Sequence, residues 1–235
     1  MEIKNKVIPQ KDIDNLKKQM RQIKLWHDRT NAEEGIVQAI HANPGMLTEK
    51  VHGIFDNILV VKYFIDKGNE KINKAIIDAA SEILNKYYSD FGQEYGYDNF
   101  GGLSQKKHSI GYSIAIKNTS LITYMLEKNA DLAEDNDFIK TAIEFGSDET
   151  IKYLIDNFTP KIFAIDEKSN RLFASLILNI TESIGIVSSI ENKLKIIMEE
   201  LPTDSNNRNY FNRLNKEISK FKTDYFKKFE KKQKE

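Results

Sequence analysis

The chain repeats a short pattern in which an apolar pair, a spacer, a second apolar cluster and a charged end follow one another. The clearest copies cover residues 60–67, 121–128 and 150–157, and looser copies cover 83–90 and 193–200. This spacing puts one apolar stripe on each short helix, and such a stripe is buried only against neighbouring helices. The pattern therefore predicts a stack of helix pairs.

Turn and capping residues divide the first ninety residues into predicted helices. A first helix over 12–26 has one apolar face and one lysine-rich face, which is typical of the terminal cap of a stack. Thr30 and Glu33 form a capping-box pattern that opens a second helix over 31–42. Three more helices are expected at 48–56, 58–67 and 70–90.

The one long irregular stretch covers residues 91–107, where four glycines make a stable helix unfavourable. Loops longer than about 12 residues are usually functional or disordered. Tyr95, Tyr97 and Phe100 lie between these glycines, and aromatic residues without a regular core position are candidates for partner contact. We predict that these three residues bind a partner. The alternative is an insertion whose aromatic residues fold back on neighbouring helices.

Helix pairs resume after this loop. Gly146 is typical of the residue that ends a helix, and Asp148 and Glu149 are typical of the acidic first turn of the next one. This order predicts a tight hairpin of two helices. The last helix should place Leu214, Ile218, Phe221 and Tyr225 on one stripe and lysines on the remaining surface. The predicted helices are 109–117 with 120–128, 137–145 with 148–157, 166–181 with 190–201, and 208–231.

Charge is balanced over the whole chain but not along it. The 35 basic and 35 acidic residues give no net charge, which argues against binding by bulk attraction to nucleic acid or anionic lipid. Residues 123–158 hold nine acidic and three basic residues, a net charge of −6. From Arg213 onward, nine basic residues face four acidic ones, a net charge of +5. The acidic middle favours a basic partner.

Little in the sequence indicates catalysis. The chain has no cysteine, which excludes thiol chemistry, disulfides and cysteine-containing zinc sites. No glycine pattern matches a phosphate loop, and no cofactor is predicted. No metal site is predicted either, because the four histidines are not spaced as metal-ligand pairs: His27, His41, His52 and His108. An enzyme is disfavoured, although one that combines His52 or His108 with acidic residues nearby in space stays open.

No stretch has the length of a signal-peptide core or the roughly 20 uncharged residues of a membrane span. The longest apolar run, near residues 172–180, has the length of a core helix. We therefore expect a cytoplasmic protein without a transmembrane segment.

Two segments resemble parts of ankyrin repeats. Residues 121–131 are similar to the second helix of that repeat and the turn after it, with Asn129 in the glycine place, a residue that tolerates the left-handed conformation. Residues 142–157 are similar to the end of the first helix, the turn and the second helix. Tyr124 and Tyr153 are 29 positions apart, a little under the usual period of about 33. The Thr-Pro-Leu-His signature is absent.

The resemblance implies an all-α fold: a helical-hairpin solenoid with ankyrin-like repeats and helical caps at both ends. The expected parts are a cap over 1–44, repeats over 45–201 with the inserted loop at 91–107, and a basic C-terminal helix over 202–235. A helical-hairpin solenoid of another type is the alternative.

The resemblance also implies a non-catalytic module that binds a protein partner through its turns. On this chain the expected contacts are Asn129, Asp131 and Asp135, beside the aromatic residues of the loop. Heavy use of Lys, Asn and Ile together with an ankyrin-like pattern suggests a bacterial or viral effector that acts in the host cytosol. A membrane or nucleic-acid adaptor that works through the basic C-terminal helix is the other alternative.

Overall fold

The computed structural model describes residues 29–48, 50–51, 58–67, 69–87, 108–166, 170–200 and 207–232, together with positions 11, 14, 15 and 18. These residues are mostly helical, which confirms the expected all-α class at that level. The chain divides into two compact units, Met1–Phe138 and Ile139–Glu235. Each unit is described by itself below.

The first unit combines short α-helices with single turns of 3-10 helix. Two short strands among its described residues are antiparallel and pair Lys50 with Leu59. The helices are α1 (Arg29–Ala42), α2 (Val60–Lys67), α3 (Glu70–Ala79), α4 (Ile110–Ala115), α5 (Ile122–Lys128) and the first residues of α6 (Asn136–Phe145). The strands are β1 (Lys50–Val51) and β2 (Ile58–Leu59), and the 3-10 turns are Pro44–Thr48, Ser81–Ile83, Thr119–Leu121 and Ala130–Glu134.

The core of the first unit forms where α1 and α2 pack on α3. Ile36 and Ile40 on α1 are fully buried, and Ile72 and Ile76 on α3 are 1% and 0% exposed. Both pairs have the four-residue spacing that puts side chains on one helix face. Each such side chain contributes about 1.5–3 kcal/mol of burial free energy. Asn69 caps α3, since its side chain accepts a hydrogen bond from the backbone N–H of Ile72 at 3.2 Å.

The second unit contains the longest helices of the described chain. They follow the end of α6 as α7 (Asp148–Asn157), α8 (Thr159–Ile162), α9 (Phe173–Ile180), α10 (Ile184–Glu200) and α11 (Arg208–Lys232). A hairpin of β3 (Ile165–Asp166) and β4 (Arg171–Leu172) lies between α8 and α9. Helix α10 packs on α7 and α11, and α9 packs on α11.

Polar contacts hold the β3–β4 hairpin in the second unit. The buried carboxylate of Asp166 lies 3.0 Å from the ammonium of Lys140 on α6. Asn170 has a positive φ of 52°, and its backbone N–H donates to the carbonyl of Asp166 at 2.8 Å. The Tyr210 hydroxyl donates to the Asn170 side chain at 2.8 Å. These contacts join the hairpin to α6, which comes earlier in the chain, and to α11, which comes later.

Most helices predicted between 109 and 157, together with the last helix, are confirmed to within a few residues. Four predictions are wrong in part. The helix expected over 48–56 is contradicted by strand β1, and the first two residues of the helix expected over 58–67 form strand β2. The helix expected over 70–90 ends at Ala79, and the first residues of the helix expected over 166–181 belong to the β3–β4 hairpin. Ala80 ends α3 because its backbone, at φ −150° and ψ 49°, is not helical. The first helix, expected over 12–26, and the loop 91–107 lie outside the described residues, apart from helical positions 14, 15 and 18.

Within the part of the chain that the structure describes, no helix combines the length and the apolar character that a membrane span requires.

Candidate partner-binding surface

Three of the predicted binding residues lie in the segment that joins α5 to α6. Asn129 follows α5, the 3-10 turn Ala130–Glu134 comes next, and Asp135 precedes α6. Glu127, Asp131 and Glu134 are exposed, whereas Asn129 and Asp135 are half-buried. We call residues 127–135 the acidic segment. The structure therefore keeps the three predicted residues on one short segment but gives them different environments.

Asn129 fixes the start of this segment. Its Nδ2 donates to the carbonyl of Ser81 at 2.7 Å, and its Oδ1 accepts from the backbone N–H of Asp131 at 3.1 Å. Its backbone is extended, at φ −146° and ψ 95°, and does not use the left-handed conformation that asparagine tolerates. The side-chain cap replaces the turn that a left-handed residue would make. Both ends of the amide are thus used inside the protein.

Asp135 fixes the end of the segment. One carboxylate oxygen accepts from the Ser109 hydroxyl at 2.5 Å. The other accepts from the backbone N–H groups of Asp137 at 2.9 Å and Phe138 at 3.2 Å. A carboxylate at this position caps α6 and satisfies N–H groups that have no partner within the helix.

Ser109 extends this contact to α4. It is fully buried, and its side-chain oxygen accepts from the backbone N–H of Tyr112 at 3.1 Å. One serine and one aspartate therefore join the N-terminal ends of α4 and α6 in a single set of hydrogen bonds. Hydrogen bonds to a charged group are stronger than neutral ones, so this contact holds the acidic segment firmly.

Gly111 brings α4 close to the middle of the acidic segment. Its backbone N–H donates to the carbonyl of Leu84 at 2.8 Å. A Cβ atom at this position would lie 2.4 Å from Cδ2 of Leu132 and 3.1 Å from the Leu84 carbonyl oxygen. Leu132 is fully buried in the 3-10 turn. The absence of a side chain at Gly111 thus lets the 3-10 turn pack directly on α4.

The exposed side of the segment is anionic. Residues 127–135 contain four acidic residues and one lysine, a net charge of −3. The lysine, Lys128, lies 3.9 Å from the carboxylate of Asp78 and 5.3 Å from the ring centre of Tyr124. Asp131 projects into solvent between the two anchored ends. This arrangement can attract a cationic group.

A surface cluster around Tyr124 borders the segment and was not predicted as a unit. The Tyr124 hydroxyl donates to Asp78, and Lys74 lies 5.2 Å from the centre of the ring. The hydrogen bond to Asp78 is the main cause of the raised pKa of Tyr124, with smaller effects from burial and nearby carboxylates. Lys74 and Asp78 are on α3, about fifty positions earlier in the chain, so sequence spacing gave no signal for this contact.

Tyr63, Tyr124 and Tyr153 occupy equivalent positions in the three clearest copies of the repeated pattern, but their environments differ. Tyr63 is 5% exposed, and burial raises its pKa. Tyr124 has the polar contacts described above. Tyr153 is half-buried and its ring centre lies 6.1 Å from that of Phe158. A common ligand-binding role for the three is not supported by these surroundings.

The histidines do not form a reactive group among the described residues. His41 is exposed on α1, and His27 and His52 lie outside the residues described in atomic detail. His108 stacks on Tyr112 with ring centres 4.2 Å apart, and its Nδ1 has no hydrogen-bond partner within the described chain. Ser109 donates directly to Asp135 rather than to His108, which is the geometry of a helix cap and not of a nucleophilic triad.

No candidate metal site is found among the described residues. The described residues contain no group of three or more His, Cys, Asp or Glu side chains that could hold a metal ion. The predicted loop contacts Tyr95, Tyr97 and Phe100 fall outside the described residues, so their binding role stays a prediction.

Compared with family models, curated proteins and solved structures, the chain matches none.

Proposed function

We propose that this protein is a non-catalytic interaction module whose acidic segment, residues 127–135, binds a basic region of a protein partner. The observation that supports this most is the combination of exposed carboxylates with internal anchors at both ends. Glu127, Asp131 and Glu134 face solvent, while Asn129 and Asp135 are hydrogen-bonded within the protein. In this proposal Asp131 contacts the partner, and the two anchors position it.

Anchoring matters because ordering a flexible segment opposes binding. Immobilising a rotamer-rich side chain costs about 0.5–1.5 kcal/mol, and fixing backbone costs more. Here Ser81, Ser109 and the N-terminal end of α6 already hold the backbone of the segment. A partner would therefore meet a surface that is ordered before contact.

The charge of the segment should act mainly on the rate of association. Complementary charges raise the frequency of productive encounters more than they raise affinity. Physiological salt screens exposed charges over about 8 Å, so the attraction works at short range. Affinity would then come from apolar contacts, for which the aromatic loop residues Tyr95, Tyr97 and Phe100 are our candidates.

The wider proposal is an ankyrin-like stack of helix pairs that presents its turns to the partner. The short connections between α4 and α5 and between α6 and α7 are consistent with it. The effector role in a host cytosol also stays a proposal that rests on the sequence alone.

Affinity capture from cytosolic extract tests the role of the acidic segment. Immobilised wild type is compared with Asp131→Lys/Glu134→Lys by quantitative mass spectrometry of the retained proteins. Glu199→Lys/Glu200→Lys is a matched control, since it makes the same change in charge at exposed positions on α10. We expect a basic protein to be retained by wild type and the control but lost by the Asp131/Glu134 variant. Equal retention by all three, or by none, would overturn the proposal.

A second capture tests the loop. Replacing Tyr95, Tyr97 and Phe100 by serine should reduce retention of the same protein while the melting temperature stays nearly unchanged. A large fall in melting temperature would instead mean that these aromatic residues pack in the core.

A further inference from the structure

The last helix, α11, carries an apolar stripe that is buried up to Ile218 and partly exposed at the described positions after it. Its buried members are Phe211, Leu214 and Ile218, at 4%, 0% and 1% exposure. None of the described residues 219–228 is buried. Phe221 and Tyr225 are half-buried there, and Phe226 is 55% exposed, which is high for a side chain of this size.

The rings of Phe221, Tyr225 and Phe226 form one continuous row. The ring centres of Phe221 and Tyr225 are 6.3 Å apart with the planes nearly parallel, and those of Tyr225 and Phe226 are 5.7 Å apart and nearly perpendicular. Aromatic pairs favour such offset and edge-on arrangements. The row is therefore preformed on the helix surface.

Cationic side chains border this row. Lys220, Lys227 and Lys228 are exposed, and Asp224 is the one acidic residue between positions 219 and 228. The fourth lysine in this stretch, Lys222, instead pairs with Glu191 on α10. That contact holds α11 against α10 and leaves the other lysines facing solvent.

We infer that the second half of α11, with Phe221, Tyr225 and Phe226 between exposed lysines, docks on the surface of an anionic lipid bilayer. Aromatic residues favour the boundary between headgroups and acyl chains. Lysines beside them are attracted to anionic headgroups and can extend their ammonium groups toward them. Nucleic acid is the less suitable occupant, because base stacking needs a free ring face and these rings already contact one another.

Sedimentation with lipid vesicles tests the proposal on the full chain. The vesicles contain phosphatidylcholine alone or phosphatidylcholine mixed with phosphatidylserine, in buffer of near-physiological salt. We expect binding to the mixed vesicles only. Tyr225→Ser/Phe226→Ser and, separately, Lys227→Glu/Lys228→Glu should weaken that binding about tenfold or more.

The matched control is Lys86→Glu/Lys152→Glu, which makes the same charge change at exposed positions elsewhere and should bind like wild type. Unchanged far-UV circular dichroism establishes that each variant folds. No binding of wild type to the mixed vesicles would overturn the inference. Equal binding by wild type and the Tyr225/Phe226 variant would also overturn it, as would displacement from the vesicles by a single-stranded oligonucleotide.

A site-specific label gives an independent readout, because the chain contains no cysteine. A polarity-sensitive fluorophore on Thr223→Cys, an exposed position one turn before Phe226 that leaves the aromatic row intact, should shift to shorter wavelength when mixed vesicles are added. The same label on Asn212→Cys, an exposed position in the first half of α11, should not shift. Equal shifts at both positions, or none at either, would contradict docking through the aromatic row.

Discussion

Replacing Asp135 by alanine should destabilise the first unit, because one carboxylate accepts three hydrogen bonds there. It receives the hydroxyl of fully buried Ser109 at 2.5 Å and the backbone N–H groups of Asp137 and Phe138. Alanine would remove the cap of α6 and leave the Ser109 hydroxyl without its acceptor. The variant therefore tests whether Asp135 is a structural anchor, as its contacts indicate.

The expected loss in free energy of unfolding can be estimated from the helix cap and the hydrogen bond to Ser109. An N-cap replaced by alanine costs about 1 kcal/mol, and a hydrogen bond to a charged group contributes about 1.5–3 kcal/mol. Because the two contributions share one side chain, we expect a total near 2–4 kcal/mol. Asp135→Asn retains an oxygen that can cap the helix, so it should lose about half as much.

Urea unfolding followed by far-UV circular dichroism measures these differences, provided that the slope of the transition is unchanged. Asp131→Ala is the matched control, since this exposed carboxylate is four residues away, and it should change stability by less than about 0.5 kcal/mol. A double-mutant cycle with Ser109→Ala should give a coupling energy above about 0.5 kcal/mol. A loss for Asp135→Ala no larger than that of Asp131→Ala would refute the reasoning.

Three further predictions concern other contacts. Lys140→Met should lower the free energy of unfolding in urea by about 3–5 kcal/mol, because the buried carboxylate of Asp166 loses the ammonium 3.0 Å away. The double variant with Asp166→Leu should recover most of that stability, and a single variant as stable as wild type would contradict this explanation. The Lys222 ammonium lowers the pKa of Glu191, so the stability that Glu191 contributes should be fully present above about pH 5 and lost as pH falls through the lowered pKa. Unfolding curves of wild type and Glu191→Gln should accordingly differ at neutral pH and converge in acid, and a constant difference would exclude this linkage. Asn73→Leu should raise the melting temperature, because both polar atoms of this fully buried side chain lack a hydrogen-bond partner within the described residues. A lower melting temperature would mean that Asn73 has a partner elsewhere in the chain.

The helix pairs could be predicted because their start and stop signals are local. At the α6–α7 turn, Ser147 caps α7 by accepting from the backbone N–H of Thr150 at 3.3 Å. A Cβ atom on Gly146 would lie 2.2 Å from the carbonyl oxygen of Ala142, so the turn requires glycine. Both features lie within a few residues of each other in sequence, and the predicted end of one helix and start of the next are confirmed.

The errors arose where distant contacts decide local structure. Nothing between residues 78 and 84 is a strong helix breaker, yet α3 ends at Ala79 and a separate 3-10 turn begins at Ser81. The carbonyl of Ser81 accepts from Asn129, which is 48 positions later. The short strands were missed for a similar reason, because apolar residues such as those at 58–61 fit a helix or a strand equally well until their partner is known.

The candidate site shows the same limit. The resemblance to ankyrin repeats implied partner contacts at Asn129, Asp131 and Asp135, and in the structure these residues lie on the connection between α5 and α6. The sequence could not distinguish the anchors Asn129 and Asp135 from the exposed Asp131, because the hydrogen-bond partners of the two anchors are 48 and 26 positions away. The wider ankyrin-like repeat stays a prediction.

The central claim is that the exposed carboxylates of the acidic segment attract a basic protein. The most direct test is the association rate of the captured partner, measured by stopped-flow fluorescence at low and physiological salt for wild type and Asp131→Lys/Glu134→Lys. We predict that the wild-type rate falls steeply with salt and that the charge reversal lowers it about tenfold or more at low salt, with a smaller change in the dissociation rate. Equal association rates for the two proteins at low salt would contradict the account.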